Sequence, residues 1–113
     1  TLQAFSAACE QVARGVLRAI SLNLGMPAHC LDSGFDAAHT SFLRLNYYPP
    51  CANPAPADTS LIPASGHLGI HHHTDSGALT VLLQDQQPGL QVLRGDRWHL
   101  IPPRDDALLV NIG

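Results

Sequence analysis

The segment His71-His72-His73-Thr74-Asp75-Ser76-Gly77-Ala78-Leu79-Thr80-Val81-Leu82-Leu83 joins the densest group of metal-ligating side chains in the chain to an apolar run. Four of the seven histidines fall between His67 and His73. Alternate residues of an extended strand share a face. A strand over His67–Asp75 therefore turns His71, His73 and Asp75 one way, and His72 and Thr74 the other. Leu79–Leu83 reads as the next strand, apolar and expected to be buried on both faces.

Outward from this segment the pattern is mostly of short strands. Phe42–Tyr48 is aromatic-rich and partly alternating, and Pro49-Pro50 ends it, which predicts a strand. Cys51 to Gly66 is rich in proline, alanine and serine and reads as a loop. Leu90–Leu93 and Trp98–Ile101 flank Arg94-Gly95-Asp96-Arg97, a hairpin turn. Ala107–Ile112 is the last predicted strand. Before all of these, Phe5, Cys9, Val12, Val16, Ile20 and Leu24 recur at helical spacing and predict an amphipathic helix over Leu2–Leu24, stopped by Gly25 and Pro27. One helix followed by closely spaced strands predicts a mainly β fold with an N-terminal helix, a sandwich or jelly roll.

Composition narrows the chemistry. The chain has 113 residues and a formal net charge of −3. Its six basic residues are all arginine and are scattered, so it lacks the basic face that nucleic acid requires. Without lysine, this segment can form no Schiff base and offers no phosphate-binding lysine. Cys9, Cys30 and Cys51 are odd in number and widely spaced, unlike a disulfide framework or a paired-cysteine metal site. They fit a reducing, cytoplasmic setting. No apolar run approaches the roughly 20 residues of a membrane span, so no membrane partner is expected.

Geometry limits how many ligands one strand can supply. At roughly 3.3 Å per residue, His71 and Asp75 start about 13 Å apart. Donors around one ion sit within about 3 Å of each other, given bonds near 2.1 Å. Residues two apart can lean together, whereas the outer pair needs a bulge. Two ligands from this strand and a histidine from elsewhere would make a 2-His-1-carboxylate set, which leaves positions open and suits iron(II). A histidine run can also be a solvated strand end or an adventitious zinc or nickel binder.

The flanking residues separate these readings. Leu43-Arg44-Leu45-Asn46-Tyr47-Tyr48-Pro49-Pro50-Cys51, then His73-Thr74-Asp75 through Gln84-Asp85, then Gly89-Leu90-Gln91-Val92, Trp98 with Ile101-Pro102-Pro103, and Ala107-Leu108-Leu109-Val110-Asn111-Ile112-Gly113 stand in one order. In that order they resemble the 2-oxoglutarate- and iron(II)-dependent dioxygenases, in the isopenicillin N synthase-like branch. The resemblance implies a partial double-stranded β-helix, or jelly roll. Residues 1–41 would be a helical segment packing on the core. Residues 42–113 would be the N-terminal part of the jelly-roll domain, truncated at its C-terminus. It further implies that His73 and Asp75 bind iron(II), that Tyr48 helps bind 2-oxoglutarate, and that Asn46 lines the same pocket. The second iron-binding histidine and an Arg-x-Ser pair for the far carboxylate of 2-oxoglutarate are expected beyond Gly113, so the segment alone is expected to be inactive. His99, in the hairpin, is a poor substitute.

The resemblance implies an enzyme that couples 2-oxoglutarate and dioxygen to hydroxylation or desaturation of a small organic molecule. Alternatives are an oxidase of the same branch that dispenses with 2-oxoglutarate, and a non-enzymatic jelly-roll module that binds a metal or ligand. Two features depart from the family. The Cys51–Gly66 loop is long, and neither His71 nor His72 is required. His71 is expected to sit near the metal as a bystander, and His72 to face away. Trp98 is expected to pack.

Overall fold

The computed structural model describes residues 1–36, 38–55 and 65–113. The middle of the predicted Cys51–Gly66 loop, residues 56–64, lies outside them. The chain divides into two compact units. The first comprises residues 1–45, 75–81 and 110–113, and the second residues 46–74 and 82–109.

Helix α1, Leu2–Asn23, is the framework of the first unit. The Thr1 hydroxyl accepts from the Ala4 N–H at 3.4 Å and caps the start. The predicted helix is present, but its covered face is rotated from the predicted stripe. Leu17 and Ser21 are the buried residues, whereas Val12 is 39% and Leu24 66% exposed. The segment after the helix decides this. Ser21 donates to the Leu17 carbonyl at 3.0 Å and accepts from the Cys30 thiol at 3.4 Å. Arg18 donates to Asp32 at 3.0 Å, and His29 Nδ1 lies 2.8 Å from the same carboxylate oxygen. Arg14 pairs with Glu10 one helical turn away and donates to the Phe35 carbonyl, at the end of a 3₁₀ turn over Asp32–Phe35. The Arg18 hydrogen bond, and then the His29 one, hold the Asp32 carboxyl below its ordinary range; the Arg14 hydrogen bond does the same for Glu10.

Among the described residues four strands follow: β1 Leu79–Leu82, β2 Gln91–Arg94, β3 Arg97–Leu100 and β4 Leu109–Ile112. They form two two-stranded sheets, β1 with β4 and β2 with β3. The hairpin is where the sequence predicts it, antiparallel, with Arg94 opposite Arg97. Its two-residue loop is Gly95-Asp96. Gly95 has φ +61° and among the described residues no non-glycine residue has positive φ, which fits a turn needing glycine at its first central position.

Three expectations are corrected. Phe42–Tyr48 joins no sheet and is exposed throughout. His67–Asp75 is not a strand either. It makes one parallel bridge, at His67 with Pro54, closed by bonds of 2.9 Å to Asn53 and Ala55. A strand exists only where a neighbour takes its backbone groups, and among the described residues the one bridge at His67 is the only such pairing given for these two segments. The shared face expected of His71, His73 and Asp75 therefore has no strand to carry it. Leu79–Leu83, expected to be buried on both faces, is half-buried over β1, and Leu83 is 55% exposed. A two-stranded sheet has too little cover for more. Of the expected mainly β fold with one helix, the described residues show the helix α1 and two small two-stranded sheets. Among the described residues, no helix is long and apolar enough to cross a membrane.

Candidate metal centre

His73 lies in the second unit, in irregular chain. Its Nδ1 is 2.7 Å from the His71 carbonyl oxygen. A carbonyl only accepts, so Nδ1 carries the proton and donates. A neutral ring then keeps its lone pair on Nε2, the form in which imidazole binds metals. His71 thus acts through its backbone. The His72 ring lies 6.2 Å from the Trp98 ring, tilted by 55°. Trp98, on β3, is one of the few partly covered residues of the hairpin. His99 is its exposed neighbour, paired in register with Val92.

Asp75 lies in the first unit and is half-buried. Its Oδ2 accepts from the Thr80 hydroxyl at 2.7 Å and from the Asn111 side-chain amide at 3.1 Å. Thr80 is on β1 and Asn111 on β4, so the pairing of these strands aims both donors at one oxygen. The backbone is crowded here. Gly113 N–H donates to the Ala78 carbonyl at 3.3 Å, and a Cβ on Gly113 would stand 2.8 Å from the Asp75 carbonyl oxygen. Neither Thr80 nor Asn111 stands out in a search for ligand-type residues. The available signal is a hydroxyl and an amide inside otherwise apolar runs, where a polar group needs a partner.

Asn46 and Tyr48 are exposed residues of the second unit. The Tyr48 ring lies over Gly69, where a Cβ would come within 2.8 Å of Cδ1. Among the described residues, no three His, Cys, Asp or Glu side chains come together as a metal-binding group.

The family model of the 2OG-Fe(II) oxygenase superfamily matches residues 39–113. The chain belongs to this superfamily. Rice gibberellin 2-beta-dioxygenase 6 (Oryza sativa subsp. japonica) is 47% identical over 87 residues, which is 77% of this chain and 20% of that protein. A 1-aminocyclopropane-1-carboxylate oxidase homolog of Solanum lycopersicum is 38% identical over 109 residues, 96% of this chain and 27% of its own length. Protein Lateral Branching Oxidoreductase 1 of Arabidopsis thaliana is 33% identical over 115 residues, 100% of this chain and 29% of that protein. The chain thus spans 20% to 29% of the length of these relatives. No solved structure matches it.

Membership of the 2OG-Fe(II) oxygenase superfamily implies iron(II) as the metal and 2-oxoglutarate as the co-substrate. The donors of the matched segment fit that metal in kind. Imidazole nitrogen and carboxylate oxygen are the kinds of donor that suit iron(II). They fit as part of a site, since the described residues supply no three-membered group.

Proposed function

We propose that the protein carrying this chain is a non-haem iron oxygenase that uses 2-oxoglutarate and dioxygen to hydroxylate or desaturate a small organic molecule. The observation that carries this reading is His73-Thr74-Asp75 inside the matched residues 39–113. Bound iron(II) would supply the oxidative chemistry, and the protein holds, orients and shields it. In this reading His73 contributes Nε2 and Asp75 a carboxylate oxygen. The third donor and the grip on the far carboxylate of 2-oxoglutarate come from outside the described residues. The Tyr48 hydroxyl donates to 2-oxoglutarate, and Asn46 lines the same pocket. Residues 42–113 form the N-terminal part of a jelly-roll domain, preceded by the helical segment 1–41. With two protein ligands iron(II) is weakly held, so residues 1–113 by themselves do not turn over. The reading places the protein in a reducing compartment, the cytoplasm, in keeping with three free cysteines.

The test is the iron content of the full-length protein after anaerobic reconstitution, with succinate release measured alongside. His73→Ala and Asp75→Ala are each expected to lose iron and turnover together. Iron held by both variants as by the parent would remove these residues from the site.

A further inference from the structure

We propose that Thr80 and Asn111 are positioning residues for the iron site, holding the carboxylate of Asp75 in the orientation that binds the metal. This rests on the reading that Asp75 is a ligand. Both donors meet one atom: Thr80 Oγ1 at 2.7 Å and Asn111 Nδ2 at 3.1 Å from Asp75 Oδ2. Two hydrogen bonds from separate strands on one oxygen restrict rotation of the carboxylate about its last torsion more than one bond does. Both donors are neutral, so they orient the carboxylate without cancelling the charge a cation needs. An arginine in either place would compete with the metal.

The two contacts arise differently. Thr80 is five residues from Asp75 and reaches it across the turn before β1. Asn111 is 36 residues away and reaches it only because β4 lies beside β1. The ligand's orientation is therefore built into the sheet. Nothing in the strands themselves calls for these side chains. Thr80 sits in Leu79-Thr80-Val81-Leu82 and Asn111 in Leu109-Val110-Asn111-Ile112, where an apolar residue would continue the run. Partners in the outer shell of a metal ligand typically affect metal affinity by about ten- to a hundredfold.

The test compares Thr80→Ala, Thr80→Ser and Asn111→Leu in the full-length protein. Iron(II) affinity is measured anaerobically by competition with a chromogenic chelator. The ligand-field absorption of the cobalt(II) form gives a second readout, and thermal unfolding of the metal-free protein reports folding. Thr80→Ala and Asn111→Leu are expected to weaken iron binding about ten- to a hundredfold and to shift the cobalt bands. Thr80→Ser keeps the hydroxyl and is expected to restore both. The Thr80 pair differs by one oxygen atom, so it decides the matter even if Asn111→Leu fails to fold. Parent-like affinity and cobalt spectrum in Thr80→Ala, or equal losses in Thr80→Ser and Thr80→Ala, would overturn the positioning role while leaving Asp75 as ligand. A parent that binds no iron, or an Asp75→Ala variant that binds it normally, would overturn the ligand assignment, and the positioning role with it.

Discussion

Replacing Gly113 with alanine tests how tightly the backbone around Asp75 is built. The added Cβ would stand 2.8 Å from the Asp75 carbonyl oxygen and nearer still to that of Gly77. Carbon–oxygen approaches in proteins ordinarily close at about 3.3–3.6 Å, so the chain must yield by about half an ångström or more. Both obstructing atoms belong to the backbone, and no rotamer change relieves them. Forced overpacking of this kind costs about 1–3 kcal/mol. The strain falls on the Gly113-to-Ala78 hydrogen bond and on the turn over residues 75–77, and so on the position of the Asp75 carboxylate. Disturbing the surroundings of a metal ligand typically costs about ten- to a hundredfold in metal affinity, so a measurable loss of iron affinity is expected to accompany the loss of stability. The assay is thermal unfolding of the metal-free full-length protein together with an anaerobic iron titration. Gly89→Ala is the control, because a Cβ at Gly89 meets nothing within 4 Å. That control is expected to stay within about 0.5 kcal/mol of the parent. Gly113→Ala that melts and binds iron like Gly89→Ala would refute the crowding argument.

Tyr48→Phe is expected to weaken use of 2-oxoglutarate by about ten- to a hundredfold, since a hydrogen bond to a charged carboxylate contributes about 1.5–3 kcal/mol; succinate release against 2-oxoglutarate concentration measures it, and an unchanged curve removes Tyr48 from the site. The tie between Asp32 and α1 is expected to fail in acid. The Asp32 carboxyl is lowered by the Arg18 hydrogen bond and then the His29 one, so its contribution is whole above the unfolded value and is lost as pH falls through the folded one. Its melting temperature should therefore drop more steeply than that of Asp32→Asn below about pH 4, and parallel curves for the two proteins would show that the tie contributes nothing.

The parts of this fold legible in sequence are those whose causes lie within a few residues. Helix α1 follows from apolar spacing near 3.6 residues, and the β2–β3 hairpin from glycine at a position that needs positive φ. The stripe Phe5 to Leu24 was legible as a stripe, yet its burial was not. The tie of Ser21 to Cys30 and of Arg18 to Asp32 determines which side of the helix is covered, leaving Val12 and Leu24 outside. Phe42–Tyr48 and His67–Asp75 have the composition of strands, but composition supplies no neighbour.

At the candidate site the division is the same. The order of its motifs carries the superfamily, and the types of His73 and Asp75 carry the donor chemistry, because an imidazole or a carboxylate is what it is in any fold. How those donors are held was decided in three dimensions. The His71 carbonyl selects the tautomer of His73, and Thr80 and Asn111 converge on one oxygen of Asp75. A hydroxyl or an amide in an apolar run announces that a partner is needed without naming it. The partner is chosen by strand pairing, which brings together residues 36 positions apart at a cost in chain entropy that local sequence does not reveal.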